Sequence, residues 1–136
     1  MDQLADLVRP FYTDCLTVNT HSDAAAVMQR LLADDFVSRG SVDVKSKAQL
    51  IGQIQFFWKL VPDLKWDIQQ VIQEGNTVVV RSIASGTPNG DFMGVPTTGT
   101  KSFKIMTIDV HTIAEGRITQ VHHLEDWGTA MKQVSG

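Results

Sequence analysis

From Leu64 onward the chain changes its period to two. Trp66, Ile68, Gln70 and Ile72 alternate with polar neighbours, Thr77–Ser85 returns rich in Val, and Lys101–Ile113 is followed by Arg117–Trp127. Within each pair stands a Gly-ended triplet, Gln73-Glu74-Gly75 in the first and Ala114-Glu115-Gly116 in the second. Gly in that place suits a three-residue hairpin loop whose last position needs positive φ, whereas a two-residue primed turn prefers Asn or Asp before the Gly. Two long hairpins in succession make a sheet, and a sheet must bury one face against something else.

The three-residue loop sets a register for the second hairpin. Ile113 faces Arg117, Thr112 faces Ile118, Val110 faces Gln120, Ile108 faces His122, Met106 faces Leu124 and Lys104 faces Asp126. One face of the last strand then carries Ile118, Gln120, His122, Leu124 and Asp126, while Thr119, Val121, His123, Glu125 and Trp127 point the other way. The Asp126 face is the largely apolar wall, and Asp126 is the one carboxylate that it aims at whatever it covers. A two-residue turn shifts the pairing by one and puts Asp109 opposite His122. In the analogous first hairpin Asp67 meets Arg81, an ordinary cross-strand ion pair.

The cover comes from the front half. Leu4, Leu7, Val8, Phe11, Cys15 and Val18 recur at helical spacing from Asp2 to Val18, interrupted by Pro10. His21-Ser22-Asp23 breaks the chain and caps an Ala-rich helix from Asp23 to Leu32, with a short extended piece at Phe36–Ser38. Ser46 caps a third helix toward Leu60, which Pro62 limits. Its aromatic end, Phe56, Phe57 and Trp58, either fills the core or lines a cavity. Gly86–Thr100, with four Gly and two Pro among its fifteen residues, reads as a loop.

The 136 residues suffice for one domain, residues 1–136, that buries about 70% of the surface its unfolded chain exposes. Twelve basic against fifteen acidic residues leave no basic stripe for nucleic acid. Cys15 is alone, which fits a reducing cytoplasm, and neither a secretory leader nor an apolar run of about 18 residues is visible. The Gly-rich segment has no nucleotide-binding pattern, and Asp91 within it is solvated. A metal site built from His122, His123, Glu125 and Asp126 fails because neighbours on a strand face opposite sides.

G-T-P-N-G-D-F-M-G-V-P-T-T-G from Gly86 to Gly99, then A-E-G-R-I-T-Q-V-H from Ala114 to His122, Asp126 beyond it, and Pro62-Asp63-Leu64 before the first long strand resemble the SnoaL-like polyketide cyclase branch of the nuclear transport factor 2 (NTF2) superfamily. The resemblance implies an α+β cone, a curved antiparallel sheet of about four to six strands wrapped around N-terminal helices with an internal pocket. It also implies a cofactor-independent cyclase, isomerase or lyase acting on a small hydrophobic carbonyl compound, with Asp126 as acid/base in an intramolecular aldol closure. His122 and Gln120 stand where the family has Trp and Glu, and both orient substrate. The family's assisting His has its nearest candidate in His111, on the face opposite Asp126.

Completing the expected site, Lys104 lies across from Asp126, and Phe57, Trp58 and Met106 shape the pocket. Tyr12 donates to a substrate oxygen or packs in the core, and Cys15 packs. His122 is roughly 13 Å from Asp126 and touches a different part of the substrate. The resemblance also implies a homodimer through the outer sheet face, where Val121 and Trp127 lie. The alternative to an enzyme is a non-catalytic module that binds a lipophilic molecule or serves assembly.

Overall fold

The protein, a computed structural model, is described over residues 3–136. Asp2, the expected start of the first helix, lies outside the described residues. Helix α1 (Gln3–Pro10) runs through Pro10 and passes straight into a π-helical turn, Phe11–Cys15, closed by the Leu16 N–H donating to Phe11 O at 2.9 Å. Pro10 has no N–H for the ladder and its ring crowds the preceding turn, and the helix widens immediately after it. That wide turn buries Phe11, Tyr12 and Cys15.

Local signals place the next helices as expected. Asp23 caps α2 (Ala24–Leu31), its carboxylate accepting from the Ala25 and Ala26 N–H groups. Ser46 and Gln49 form a reciprocal capping box at α3 (Lys47–Leu60), satisfying two N-terminal donors at 3.2 and 2.9 Å. The extended piece is longer than expected: β1 (Leu32–Arg39) follows α2 directly and pairs with the short β2 (Val44–Ser46).

Strands β3 (Lys65–Glu74), β4 (Thr77–Gly86), β7 (Phe103–Ala114) and β8 (Arg117–Glu125) complete a curved six-stranded sheet in the order β2-β1-β8-β7-β4-β3. It is mixed, because β1 lies parallel to β8. Between β4 and β7 the Gly-rich segment is a small hairpin, β5 (Asn89–Phe92) and β6 (Val95–Thr98), and not the expected loop. Met93 and Gly94 turn it with φ of 51° and 87°. Helix α4 (Trp127–Val134) packs against β7 and β6.

The expected register of the second hairpin is corrected twice. Glu115 and Gly116 both have positive φ, 53° and 76°, so the turn is a two-residue primed one and Ala114 pairs with Arg117. Thr119 is then an extra residue in a bulge, which places Thr112 opposite Gln120, Val110 opposite His122 and Asp109 opposite His123. A bulge at Gln69 likewise puts Asp67 opposite Ile83 and leaves Arg81 bonded to Gln70 at 3.1 Å, so the expected Asp67–Arg81 pair is absent. Each bulge bends its strand and increases the local twist.

The shifts leave Met106, Ile108 and Val110 sharing a face with His122 and Leu124, as expected, but it is the convex face. Phe103, Ile105, Thr107, Asp109, His111 and Ile113 point inward instead, all buried. Val121 and Trp127, expected outside, also face in. The core between helices and concave face, including Val8, Met28, Leu32 and Val80, contributes roughly 1.5–3 kcal/mol for each large apolar side chain removed from water.

Candidate active site

A cavity of about 330 Å³ opens between α3 and the concave sheet face. Phe11, Leu50, Ile54 and Phe57 line it from the helices, and Ser38, Asp109, Val121 and His123 line it from the strands. Trp66 and Trp127 close one end, with Phe57 stacked on Trp127 at 5.9 Å. Val42, Asp43, Lys45 and Met93 rim the mouth, where Asp43 and Lys45 form a close ion pair that holds the Asp43 carboxyl below its usual range.

Asp109 is the buried acid of this wall. Its Oδ2 accepts a 2.7 Å hydrogen bond from the Tyr12 hydroxyl, whose oxygen also lies 2.6 Å from His111 Nε2. Burial pushes the Asp109 carboxyl up to about 7, the Tyr12 bond opposing the rise while the Glu125 charge adds to it and His123 opposes it. Burial likewise holds His111 neutral, its midpoint lowered to about 3, and raises the Tyr12 phenol well above its ordinary value, with Asp109 adding to that rise. The rings of Phe11, Tyr12 and His111 stand edge-on to one another, with Phe11–His111 and Tyr12–His111 ring centroids both 5.7 Å apart.

Opposite Asp109 stands His123. Its Nδ1 meets both Glu125 oxygens, at 3.0 and 2.9 Å, and this bond to a carboxylate raises its midpoint against the lowering effect of burial. The Trp127 indole N–H donates to the same carboxylate at 3.2 Å, which fixes the acceptor from its other side. Gly40 leaves room for this arrangement. A Cβ there would overlap the Asp43 carboxylate and approach His123 Cε1 to 3.3 Å. Among the described residues no three His, Cys, Asp or Glu side chains stand where they could share a metal ion.

The residues expected to form the site scatter. Asp126 is exposed and caps α4, accepting from the Thr129 N–H at 3.3 Å, so it does not aim into the cavity. His122 is exposed on the convex face, and half-buried Gln120 accepts from Arg39 at 2.7 Å. Lys104 and Met106 are on that face too, Lys104 opposite Ser85 rather than Asp126. Phe57 does line the cavity. Trp58 instead packs beside it, its indole N–H donating to Cys15 O at 2.8 Å. Tyr12 is buried in the core and reaches the site only through Asp109 and His111. Cys15 is buried, as expected, and burial raises its thiol to about 12.

Sequence reasoning missed Asp109, His123 and Glu125. One signal was present: Thr107, Asp109 and His111 are successive polar residues on a face that begins with Phe103 and Ile105 and ends with Ile113. A polar patch inside an otherwise apolar strand face is the informative departure from the default burial pattern. The Thr119 bulge that aligns His123 with Asp109 has no comparable local mark.

A model of the SnoaL-like polyketide cyclase family matches residues 6–134. Among solved structures, one from Jannaschia sp. CCS1, provisionally described as a SnoaL-like polyketide cyclase, is similar with a TM-score of 0.86 at 21% identity, over 98% of this chain and 92% of that one. Wild-type IdmH from Streptomyces antibioticus, provisionally described as a polyketide cyclase, gives 0.81 at 26% identity, over 96% and 97%. AclR from Streptomyces galilaeus, provisionally described as a hydroxylase, gives 0.77 at 17% identity, over 98% and 93%. No curated protein sequence matches the chain. At such identities the likeness speaks for the fold.

Proposed function

We propose, since this chain belongs to the SnoaL-like polyketide cyclase family and has its NTF2-like cone, that it performs acid/base chemistry on a small hydrophobic carbonyl compound, as a cyclase or a related isomerase or lyase. The observation that carries this reading is the facing pair on the cavity wall, Asp109 and His123. A carboxyl whose midpoint lies near 7 can take a proton from carbon and return it at neutral pH. An imidazolium held by Glu125 can give a proton to an oxygen that gains charge.

In a cyclisation, ionised Asp109 removes the proton α to a carbonyl. The enolate carbon then attacks a second carbonyl of the same molecule, forming the carbon–carbon bond and breaking that carbonyl's π bond. The new alkoxide takes the proton of His123, and Asp109 passes its own proton back to His123 by way of solvent or product. Phe57, Trp66 and Trp127 exclude water from the wall and strengthen each of these interactions.

The test is Asp109→Asn with a dicarbonyl substrate. Turnover should fall on the order of 10²–10⁴-fold while far-UV circular dichroism stays unchanged; undiminished kcat would take Asp109 out of the reaction and favour a binding-only pocket. Two further assignments belong to the same reading. The chain acts as one domain in the cytoplasm, where a buried free Cys15 needs no partner. It also pairs with a second copy through the convex face, where Ile72, Met106, Ile108 and Leu124 are exposed.

A further inference from the structure

We propose that His111 aims the proton of Tyr12: by donating its own Nε2–H to the Tyr12 oxygen, it commits the phenol proton to Asp109 Oδ2 and leaves Oδ1 as the one oxygen Asp109 offers the cavity. This rests on the acid/base reading of Asp109 but concerns a residue that never meets the substrate, and so His111 is a positioning residue.

Tyr12 has one proton and two neighbours that can take it, at 2.7 and 2.6 Å. Which one receives it depends on the His111 tautomer, since a neutral imidazole carries a single N–H. The remaining ring nitrogen decides the matter. His111 Nδ1 is buried with no hydrogen-bond partner, and Phe11 stands edge-on to the ring.

A proton on Nδ1 would be a buried donor with no acceptor, and it would turn Nε2 into an acceptor competing with Asp109 for the phenol. A proton on Nε2 leaves Nδ1 as a bare acceptor, the better tolerated orphan, and lines up every dipole toward the carboxylate. The result is a one-way chain, His111 Nε2–H to Tyr12 O–H to Asp109 Oδ2.

The other end of the chain agrees. Oδ1 has no hydrogen-bond partner among the described residues, and Asp109 lines the cavity. The charged or titratable groups facing Asp109 are Tyr12 from the π-helical turn and His123 and Glu125 from β8, with Asp43 and Lys45 at the mouth. Strand β4 presents only Val80. Asp109 therefore gains and loses its proton at Oδ1 without disturbing the chain behind it.

Nitrogen-15 NMR of histidine-labelled protein reads the tautomer directly, the His111 signals being assigned by their loss in His111→Gln. Nδ1 should resonate as unprotonated and Nε2 as protonated, unchanged while Asp109 titrates. A protonated Nδ1, or a tautomer that switches with Asp109, overturns the proposal. In His111→Phe the carbon-13 midpoint of Asp109 should move up, because its donor has lost support, and His111→Gln, which keeps an N–H near the same place, should restore it. A downward move in His111→Phe would mean that His111 competes for the phenol proton. If His111→Phe does not fold, the tautomer of the unaltered protein still decides. None of these readouts uses turnover, so they stand apart from the Asp109→Asn assay.

Discussion

The two faces of β7 invert the usual arrangement of a strand. Inward, at mid-length, come Thr107, Asp109 and His111; outward come Met106, Ile108 and Val110, of which Met106 is 53% exposed. A sheet in water ordinarily hides its apolar face and wets its polar one. Here the buried polar face costs stability, since burial disfavours the ionised form of Asp109 and leaves His111 Nδ1 without a hydrogen-bond partner. The exposed apolar face costs solubility unless something covers it. The acid/base role proposed for Asp109 would offset the first cost, and the proposed second copy of the chain on the convex face would offset the second.

The sharpest way to break this comparison is to charge the outer face. Met106 is 53% exposed on the outer face opposite Ile83, so Met106→Asp should fold normally but place a carboxylate within the proposed interface. An unpaired buried charge there costs on the order of 3–5 kcal/mol, enough to weaken association by 10²-fold or more. Analytical ultracentrifugation should show a wild-type dimer and a variant monomer. A wild type that is itself monomeric at tens of micromolar would leave the face without its proposed cover.

The same inversion explains what could be read from the residues and what could not. Ser46 with Gln49, and Asp23 before its Ala run, declare helix starts because a cap is a contact between neighbours in sequence. Family motifs from Gly86 onward carried the cone. The side of the sheet that faces the helices was misread, since Met106, Ile108 and Val110 are more apolar than Thr107, Asp109 and His111, and burial of apolar residues is the default expectation. Glu115 in a left-handed conformation and Thr119 in a bulge compounded the error, each moving the register by one. Neither residue type favours its role, so the pairing of Asp109 with His123 comes from the whole sheet and not from any local stretch.

A smaller effect sharpens the inner half of the comparison. Glu125→Gln keeps an acceptor for the Trp127 indole but removes the charge that raises the His123 midpoint and adds to the rise at Asp109. Both limbs of the pH profile of kcat/KM should therefore move to lower pH, with activity lost on the alkaline side and retained or increased on the acid side. The loss should be well below that of Asp109→Asn. An unmoved alkaline limb would mean that His123 is not the group that must be protonated.

The smallest effect is one that the wild type should conceal. Asp109 has its folded midpoint raised to about 7, so its contribution to stability is full below the unfolded value of 3.8 and is lost as pH rises through about 7. His111 has its folded midpoint lowered to about 3, so its contribution is full above the unfolded 6.5 and is lost as pH falls toward about 3. Between roughly pH 4 and 6.5 the two slopes have opposite signs and nearly equal size, about 1.4 kcal/mol per pH unit each, and they cancel. Urea unfolding of the wild type should therefore vary little with pH across that window on account of this pair. Asp109→Asn removes one slope, leaving a protein that weakens as the solution is acidified; His111→Gln removes the other, leaving one that strengthens. Parallel curves for the two variants would mean that the buried acid and the buried imidazole do not hold the charge states that their surroundings impose.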